Sequence, residues 1–359
     1  MQNKSESKNL SIKASAHEYQ VEIGVGLFEN YYKSFDGFVI ADQRFSNLIN
    51  ATGLSKVIYV EAVEENKTLS TVEQVMISLK KMGMTRDDEI VAIGGGIIQD
   101  IATLSASLYM RGVPWTYFPT TLLGMTDSCI GGKSSINAGD VKNLVGNIYP
   151  PNEILIDVSF LETLQQVDIN AGLAEAAKIA FCKGPDAFTF FLEAAENKSA
   201  AGYAELLFFV LSQKKWFIEI DEFDRAERKF LNFGHTFGHA LESATNHHVP
   251  HGIAVALGVS AAVAFVAEER ELSQIEGDLD NYMKMIAQEA IGVREILKII
   301  NWTKFADAFD GDKKHSTDFY KLITPLTGGQ VEIKSLGKNA ETIERVKRAQ
   351  TRALEGATK

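Results

Sequence analysis

Three of the seven histidines in this chain stand at spacings that suit a metal ion. His235 and His239 lie four residues apart in RKFLNFGHTFGH, and His251 opens the His251-Gly252 step beyond it. At 3.6 residues per turn, one helix over 226–244 would set Arg228, Asn232, His235 and His239 on a single polar face. Phe230, Leu231, Phe233 and Phe237 fall on its other faces, so a helix wrapped in core would turn that stripe toward a bound metal or anion. The segment AGLAEAAK, 171–178, is small and apolar except for Glu175 and Lys178, three apart and on one face. Two charges on a helix fit for burial need partners. They either pair with each other, or serve as a metal-ligating Glu and a substrate-binding Lys. Catalytic Zn²⁺ takes three ligands from His, Glu and Asp and leaves a position open. Glu175, His235 and His251 meet that demand, with His239 behind them or facing substrate. His235, His239 and Glu242, all on one helix, meet it too. The sequence HTFGH lacks the glutamate of HExxH, which speaks against a zinc protease.

A second group of residues suits anions. A strand-like run over 89–93 enters Gly94-Gly95-Gly96 and then a helix from near Ile97, leaving backbone N–H groups and a helix N-terminus to cradle a phosphate. The run is not GxGxxG, and glycines at such a turn also serve simply to make it. Asp100, one turn on, can meet a ribose or nicotinamide group or complement the helix dipole. The stretch 119–133 ends in Gly131-Gly132-Lys133 and reads as a ligand loop. Lys142-Asn143 follows it, and Arg111 stands before Gly112. Singly these basic residues read as solvated surface, but their placement beside glycines makes a joint anion site.

The elements that must position these residues fall into two halves. Strand-like runs at 38–41, 56–60, 89–93 and 115–118 alternate with helical stretches at 71–81 and 98–109, the βαβ pattern of a largely parallel sheet. Residues 154–156 can add a strand after the Pro150-Pro151 step. Beyond them come helical patterns at 169–181, 186–195, 203–220, 226–244, 253–269 and 274–290. The expected fold is α/β: an N-terminal Rossmann-like, parallel-sheet nucleotide-binding domain over 1–160, then an all-α metal- and substrate-binding domain over 161–359, with the active site in the cleft between them. At 359 residues and 45% hydrophobic content the chain has ample core. A net charge of −11 argues against nucleic acid or an anionic membrane as partner. Cys129 and Cys182 show no CxxC spacing and are expected to be buried free thiols of a reducing cytoplasm. The polar residues 1–8 hold no apolar run of a secretory signal, and no stretch approaches the roughly 20 apolar residues of a membrane span. His247 and His248 read as a solvated loop, and His17 and His315 carry no signal.

Taken together, AGLAEAAK, NFGHTFGH, PHG, GGGIIQD and PTT resemble the dehydroquinate synthase family, sugar-phosphate cyclases that share a fold with iron-dependent alcohol and glycerol dehydrogenases. The likeness runs from about Ile40 to Lys314. It implies Glu175, His235 and His251 as ligands of a metal, usually Zn²⁺ with Co²⁺ an alternative. It implies an NAD site of Gly95, Gly96, Asp100, Thr120 and Thr121, with Asp42, Glu64 and Lys67 at the adenosine end, Lys133 and Lys142 beside it, and Phe160 and Thr163 of FLETL as further contacts. Catalytic and substrate positions fall on Arg111, Asp127, Lys133, Lys142, Asn143, Lys178, Lys214, Arg228, Asn232 and His239, with a lysine from Asp312-Lys313-Lys314. The family's usual pattern differs at Ala62-Val63, Gln99, Ser134-Ser135, Val141 and Ile253, positions that bear on which sugar phosphate is taken.

The resemblance implies conversion of 3-deoxy-arabino-heptulosonate 7-phosphate to 3-dehydroquinate and phosphate, a step of the shikimate pathway. That conversion combines transient NAD-dependent oxidation, phosphate elimination, reduction and aldol closure. Arg228 suits the substrate carboxylate, which a guanidinium grips bidentately. A cytoplasmic homodimer is the implied form. Alternatives are a sister cyclase acting on sedoheptulose 7-phosphate or glucose 6-phosphate, a metal-dependent polyol dehydrogenase, and a nucleotide-binding regulatory protein.

Overall fold

The computed structural model describes residues 7–139 and 141–358; the polar stretch 1–6, Asp140 and Lys359 lie outside the described residues. Eleven strands are described: β1 (Lys8–Lys13), β2 (Glu18–Gly24), β3 (Phe38–Asp42), β4 (Val57–Val60), β5 (Ile90–Gly94), β6 (Trp115–Pro119), β7 (Ile136–Ala138), β8 (Val141–Val145), β9 (Glu153–Asp157), β10 (Phe319–Leu326) and β11 (Gln330–Gly337). The helices of the first half are α1 (Leu27–Tyr32), α2 (Ser46–Asn50), α3 (Leu69–Lys81) and α4 (Gly96–Leu108). Those of the second are α5 (Gln166–Lys183), α6 (Pro185–Ala194), α7 (Ala200–Ile220), α8 (His235–Ala244), α9 (His251–Val266), α10 (Gln274–Ala290), α11 (Val293–Ile299), α12 (Trp302–Asp310) and α13 (Ala340–Gly356). No helix among them is long and apolar enough to cross a membrane.

The chain divides into two compact units, one running to Leu164 and taking in Asn197–Glu222, the other built from Gln165–Glu196 and Phe223–Lys359. The first holds a seven-stranded sheet in the order β1-β2-β9-β6-β5-β3-β4. From β2 to β4 the pairs are parallel, and β1 is antiparallel to β2. Every residue of β3, β5 and β6 is buried, which is why these strands read as unbroken apolar runs. In β2 exposed and buried residues alternate over its first half, a pattern the sequence analysis leaves unassigned. The strand order reverses between β3 and β5, and at such a switch point the carboxyl ends of the strands leave a crevice for a ligand. Helix α7 packs in this first unit against β1 and β2, although its sequence adjoins the helical half. Its C-terminal end is pinned there by Glu219 and Glu222, which accept from the backbone of Lys13 and Ser15.

The second unit is helical with one addition, the antiparallel hairpin β10–β11. Its core is α9, with fourteen of its sixteen residues buried. Here the structure corrects the continuous helix expected over 226–244. Glu227–Asn232 form a 3₁₀ turn, Phe233 is extended, and α8 starts afresh at His235. Gly234 sets the break at φ +78°, the left-handed region, and a Cβ there would lie 2.6 Å from Val259 Cγ2. Arg228 and Asn232 therefore do not share a helical face with His235 and His239.

Glycine contacts bring the helices together. A Cβ on Gly258 of α9 would overlap the Gly234 carbonyl, and one on Gly252 would overlap the carbonyl of Ala171 on α5. Gly258→Ala is accordingly expected to cost about 1–3 kcal/mol through overpacking. Gly277→Ala in α10 meets nothing within 4 Å among the described residues and should stabilise by about 0.5–1 kcal/mol through helix propensity. Denaturant unfolding of the two variants checks the opposite signs.

Candidate active site

In the second unit the glycine contacts at 234, 252 and 258 bring the polar ends of three helices to one point. Glu175 projects from α5, His235 from the first turn of α8 and His251 from the first turn of α9. Glu175 Oε1 lies 3.7 Å from His235 Nε2 and 3.5 Å from His251 Nε2. The carboxylate is fully buried, and its Oε1 has no hydrogen-bond partner among the described residues. Lys178 makes an ion pair with Oε2. A buried carboxylate oxygen left without a donor and facing two imidazole nitrogens is a donor set suited to a divalent cation. His239 joins the group, its ring nitrogen within 4.8 Å of those of His235 and His251. Both the Glu175, His235, His251 set and a three-histidine set are thus within reach. Glu242 of the other expected set instead accepts from His251 Nδ1 at 3.2 Å, an outer partner that fixes the ring with Nε2 toward Glu175.

The charges follow from this packing. Burial favours the neutral acid at Glu175, but Lys178 and His251 outweigh it and hold the carboxyl down at about 2. Burial also opposes charge on His251; that ring is 41% open to solvent, and Glu175 and Glu242 hold it up to about 10. Burial, then the neighbouring Lys178 ammonium, keeps His235 neutral, well below the usual imidazole range. His239 reaches solvent at its ring, yet its surroundings and the Lys314 ammonium lower it to about 4. Of the two lysines in Asp312-Lys313-Lys314, Lys313 is exposed, whereas Lys314 is half-buried, pairs with Asp312 at 2.8 Å and acts on both histidines. Arg228 is buried, and Asn232 is half-buried with its amide donating to the Lys229 carbonyl. His247 and His248 lie in the exposed loop expected of them.

In the first unit the glycine run ends β5 and opens α4. A Cβ on Gly95 would press on Thr121 Cγ2 at 3.0 Å, while one on Gly96 would meet only Ser128 Oγ at 4.0 Å. Among the described residues no side chain caps α4, so its first N–H groups are left without a side-chain acceptor, the arrangement a pyrophosphate uses. Among the described residues Thr120 Oγ1 is buried without a partner, whereas Thr121 Oγ1 accepts from Gly124 N. Asp42, at the end of β3, already accepts from Arg44 N and Nε. The Phe160 ring packs in core against Phe28 and Phe45, and Thr163 donates to the Phe160 carbonyl.

Lys67 gathers several of the expected residues. Its Nζ donates to Asn143 Oδ1 at 2.7 Å and to Asp100 Oδ2 at 3.2 Å, with Glu64 3.8 Å away. Burial raises the Asp100 carboxyl to about 6, with Lys67 opposing. Ser135, one of the positions that depart from the family's pattern, donates its N–H to Asp100, and Asn137, which has no signal in the sequence, links Glu64 to the Asn143 backbone. Asn143 itself is left-handed at φ +54°. Asp127 pairs with Lys214 of α7 at 2.6 Å. Arg111, Lys133 and Lys142 are exposed, Arg111 following Met110 in two successive left-handed residues, at φ +71° and +47°. Such paired strain in non-glycine residues is common at functional sites. Cys129 and Cys182 are free, and burial pushes both thiols up to about 12.

Because His251 carries its proton up to about pH 10 in the metal-free protein, Zn²⁺ must displace it. Its apparent affinity should rise about tenfold per pH unit from pH 7 to 9, with about one proton released per ion. Calorimetric titration in buffers of different ionisation enthalpy measures that proton. Glu242→Ala, which frees the His251 ring, should weaken Zn²⁺ binding by about 10–100-fold in the same titration.

The family model described as 3-dehydroquinate synthase N-terminal matches residues 57–171, and the one described as 3-dehydroquinate synthase C-terminal matches 172–315. A 3-dehydroquinate synthase of Streptococcus pyogenes is 34% identical over 266 residues, 74% of each chain. Among solved structures, 2-deoxy-scyllo-inosose synthase in complex with carbaglucose-6-phosphate, NAD⁺ and Co²⁺ matches with a TM-score of 0.79 at 22% identity, covering 96% of this chain and 99% of that one. The 2-epi-5-epi-valiolone synthase of Streptomyces hygroscopicus, with NAD⁺ and Zn²⁺ bound, matches with a TM-score of 0.79 at 22% identity, covering 96% and 98%. These two share its fold. The matched models span both units and include the carboxylate and all three imidazoles of the cluster, and the chain belongs to the 3-dehydroquinate synthase family.

Proposed function

We propose that this chain is a 3-dehydroquinate synthase that converts 3-deoxy-arabino-heptulosonate 7-phosphate to 3-dehydroquinate and phosphate, with NAD⁺ reduced and reoxidised in each cycle. The observation that carries the proposal is the convergence of the buried Glu175 carboxylate with His235 and His251 in a chain of this family. Glu175, His235 and His251 would hold a divalent metal, Zn²⁺ or Co²⁺, and the N-terminus of α4 with Gly95, Gly96 and Thr120 would hold NAD⁺. When bound, the metal acidifies an alcohol and polarises a ketone, and the dinucleotide takes up and returns a hydride.

The chain's own residues supply binding, orientation and proton handling. His239, neutral at physiological pH, accepts the alcohol proton at a ring nitrogen and returns it on reduction. Lys178 balances the Glu175 charge and donates to substrate oxygens. Lys133, Lys142 and Asn143 bind the phosphate and stabilise it as it leaves, and Arg228 takes the carboxylate as a bidentate partner. Asp127, oriented by Lys214, accepts from substrate hydroxyls. Asp42, Glu64, Lys67, Asp100, Thr121, Phe160 and Thr163 line or brace the dinucleotide, with Arg111 and Asn232 completing the substrate set. Asp42 and Phe160 would act from within their existing packing. The active form is proposed to be a cytoplasmic homodimer.

With NAD⁺ and Zn²⁺ added, the heptulosonate phosphate should yield one phosphate and one 3-dehydroquinate per turnover, without net NADH. His235→Ala should lower kcat by at least about 100-fold. Phosphate assay, mass and NMR identification of the product and absorbance at the NADH wavelength test this together. Accumulating NADH would identify a polyol dehydrogenase, and a different cyclitol a sister cyclase.

A further inference from the structure

We infer that Gln99 is a positioning residue for substrate, whose buried side-chain amide clamps helix α4 to the turn that carries Asp127. The inference deepens the proposed function and rests on Asp127 meeting the sugar phosphate. Gln99 stands on α4 three residues after Gly96, and only 2% of it is exposed. Both ends of its amide go to one residue: Nε2 donates to the Ser128 carbonyl at 2.6 Å, and Oε1 accepts from Ser128 Oγ at 2.6 Å. Ser128 closes the π-helical turn Gly124–Ser128, and Asp127 is its neighbour in that turn. Wide turns of this kind are rare, are frequent at functional sites, and leave carbonyls at their ends without intrahelical partners.

The turn is held at its start by Thr121, whose carbonyl accepts from Met125 N and whose Oγ1 accepts from Gly124 N. At its end Cys129 N closes back onto the Gly124 carbonyl, and Gln99 takes the Ser128 carbonyl. Asp127 is thus held by Lys214, whose Nζ meets both its carboxylate and its backbone carbonyl, and by the Ser128–Gln99 pair next in the chain. Without the amide, two polar groups of Ser128 lose their partner, and the turn can relax toward α-helical winding, which re-aims Asp127. The same clamp ties the turn to the helix whose N-terminus faces the dinucleotide, so one buried side chain sets the distance between the substrate-binding carboxylate and that helix.

The test uses the full-length, Zn²⁺-loaded protein. Gln99→Leu keeps the volume and removes both bonds. It should raise the KM for the heptulosonate phosphate about tenfold while leaving the NAD⁺ dissociation constant within about twofold. Backbone hydrogen exchange across 124–129 should accelerate, with 97–104 unchanged. Added to Asp127→Asn, Gln99→Leu should cost nothing more, because it acts through Asp127. A fall in Tm with unchanged KM, losses that multiply in the double variant, or unaltered exchange at 124–129 would each overturn the inference. Should Gln99→Leu fail to fold, Ser128→Ala removes half the clamp from the other side and should raise KM about threefold; an unchanged KM there overturns it equally. A wild-type protein that leaves the heptulosonate phosphate intact defeats the proposed function instead, while hydrogen exchange still decides whether Gln99 holds the turn.

Discussion

A carboxylate with no exposure to solvent constrains the whole helical unit. Ionised Glu175 in a protein interior is tolerated only where positive charge or a cation compensates it. The surroundings of α5 are organised to that end: Lys178 one turn along the same helix, and the first residues of α8 and α9 bringing His235 and His251 to within 3.7 Å of Oε1. Glycines at 234, 252 and 258 let backbones touch, and without that approach the imidazoles could not reach the carboxylate. Glu175 and Glu242 raise the proton affinity of His251, so a divalent cation would compete with a proton for that ring, which links the electrostatics of the cluster to its chemistry.

The first unit is arranged around a different shortage, of side chains rather than of charge. Gly95 and Gly96 leave the N-terminus of α4 uncovered, at the point where the strand order reverses. The polar network centred on Lys67 then secures the segment around β7 and β8 to α4 through Asp100 and Asn143. Each of these side chains is held by another polar group in advance. A site built this way spends little free energy on ordering its own groups when a ligand arrives.

Much of the architecture was legible in the sequence. The central strands are buried on both faces, so their apolar runs announce a parallel sheet, and α3, α4 and α10 follow from helical periodicity. Strands β1 and β2 and the hairpin β10–β11 were not assigned. In β2 the period-2 alternation from Glu18 to Ile23 is plain in the residues, whereas in β1, β10 and β11 partly exposed residues dilute it. The expected helix over 226–244 broke because periodicity does not register a single left-handed glycine, although the i, i+4 pair His235 and His239 survived within α8.

The sequence by itself determined the chemical inventory: which carboxylate and which imidazoles stand in apolar surroundings, where glycines bare a helix N-terminus, and which cations are available for an anion. Side-chain identity and local spacing suffice for that, since burial of a charge among alanines and leucines already demands a partner. Tertiary structure decided the pairings. Glu242 became the outer partner of His251, Lys314 rather than Lys313 turned toward the histidines, Lys67 met Asp100 and Asn143, and Gln99 closed on Ser128. Those choices join residues as distant as Lys67 and Asn143, 76 positions apart, or further, and they are set by how closely backbones approach, a property of packing that no local pattern of residues encodes.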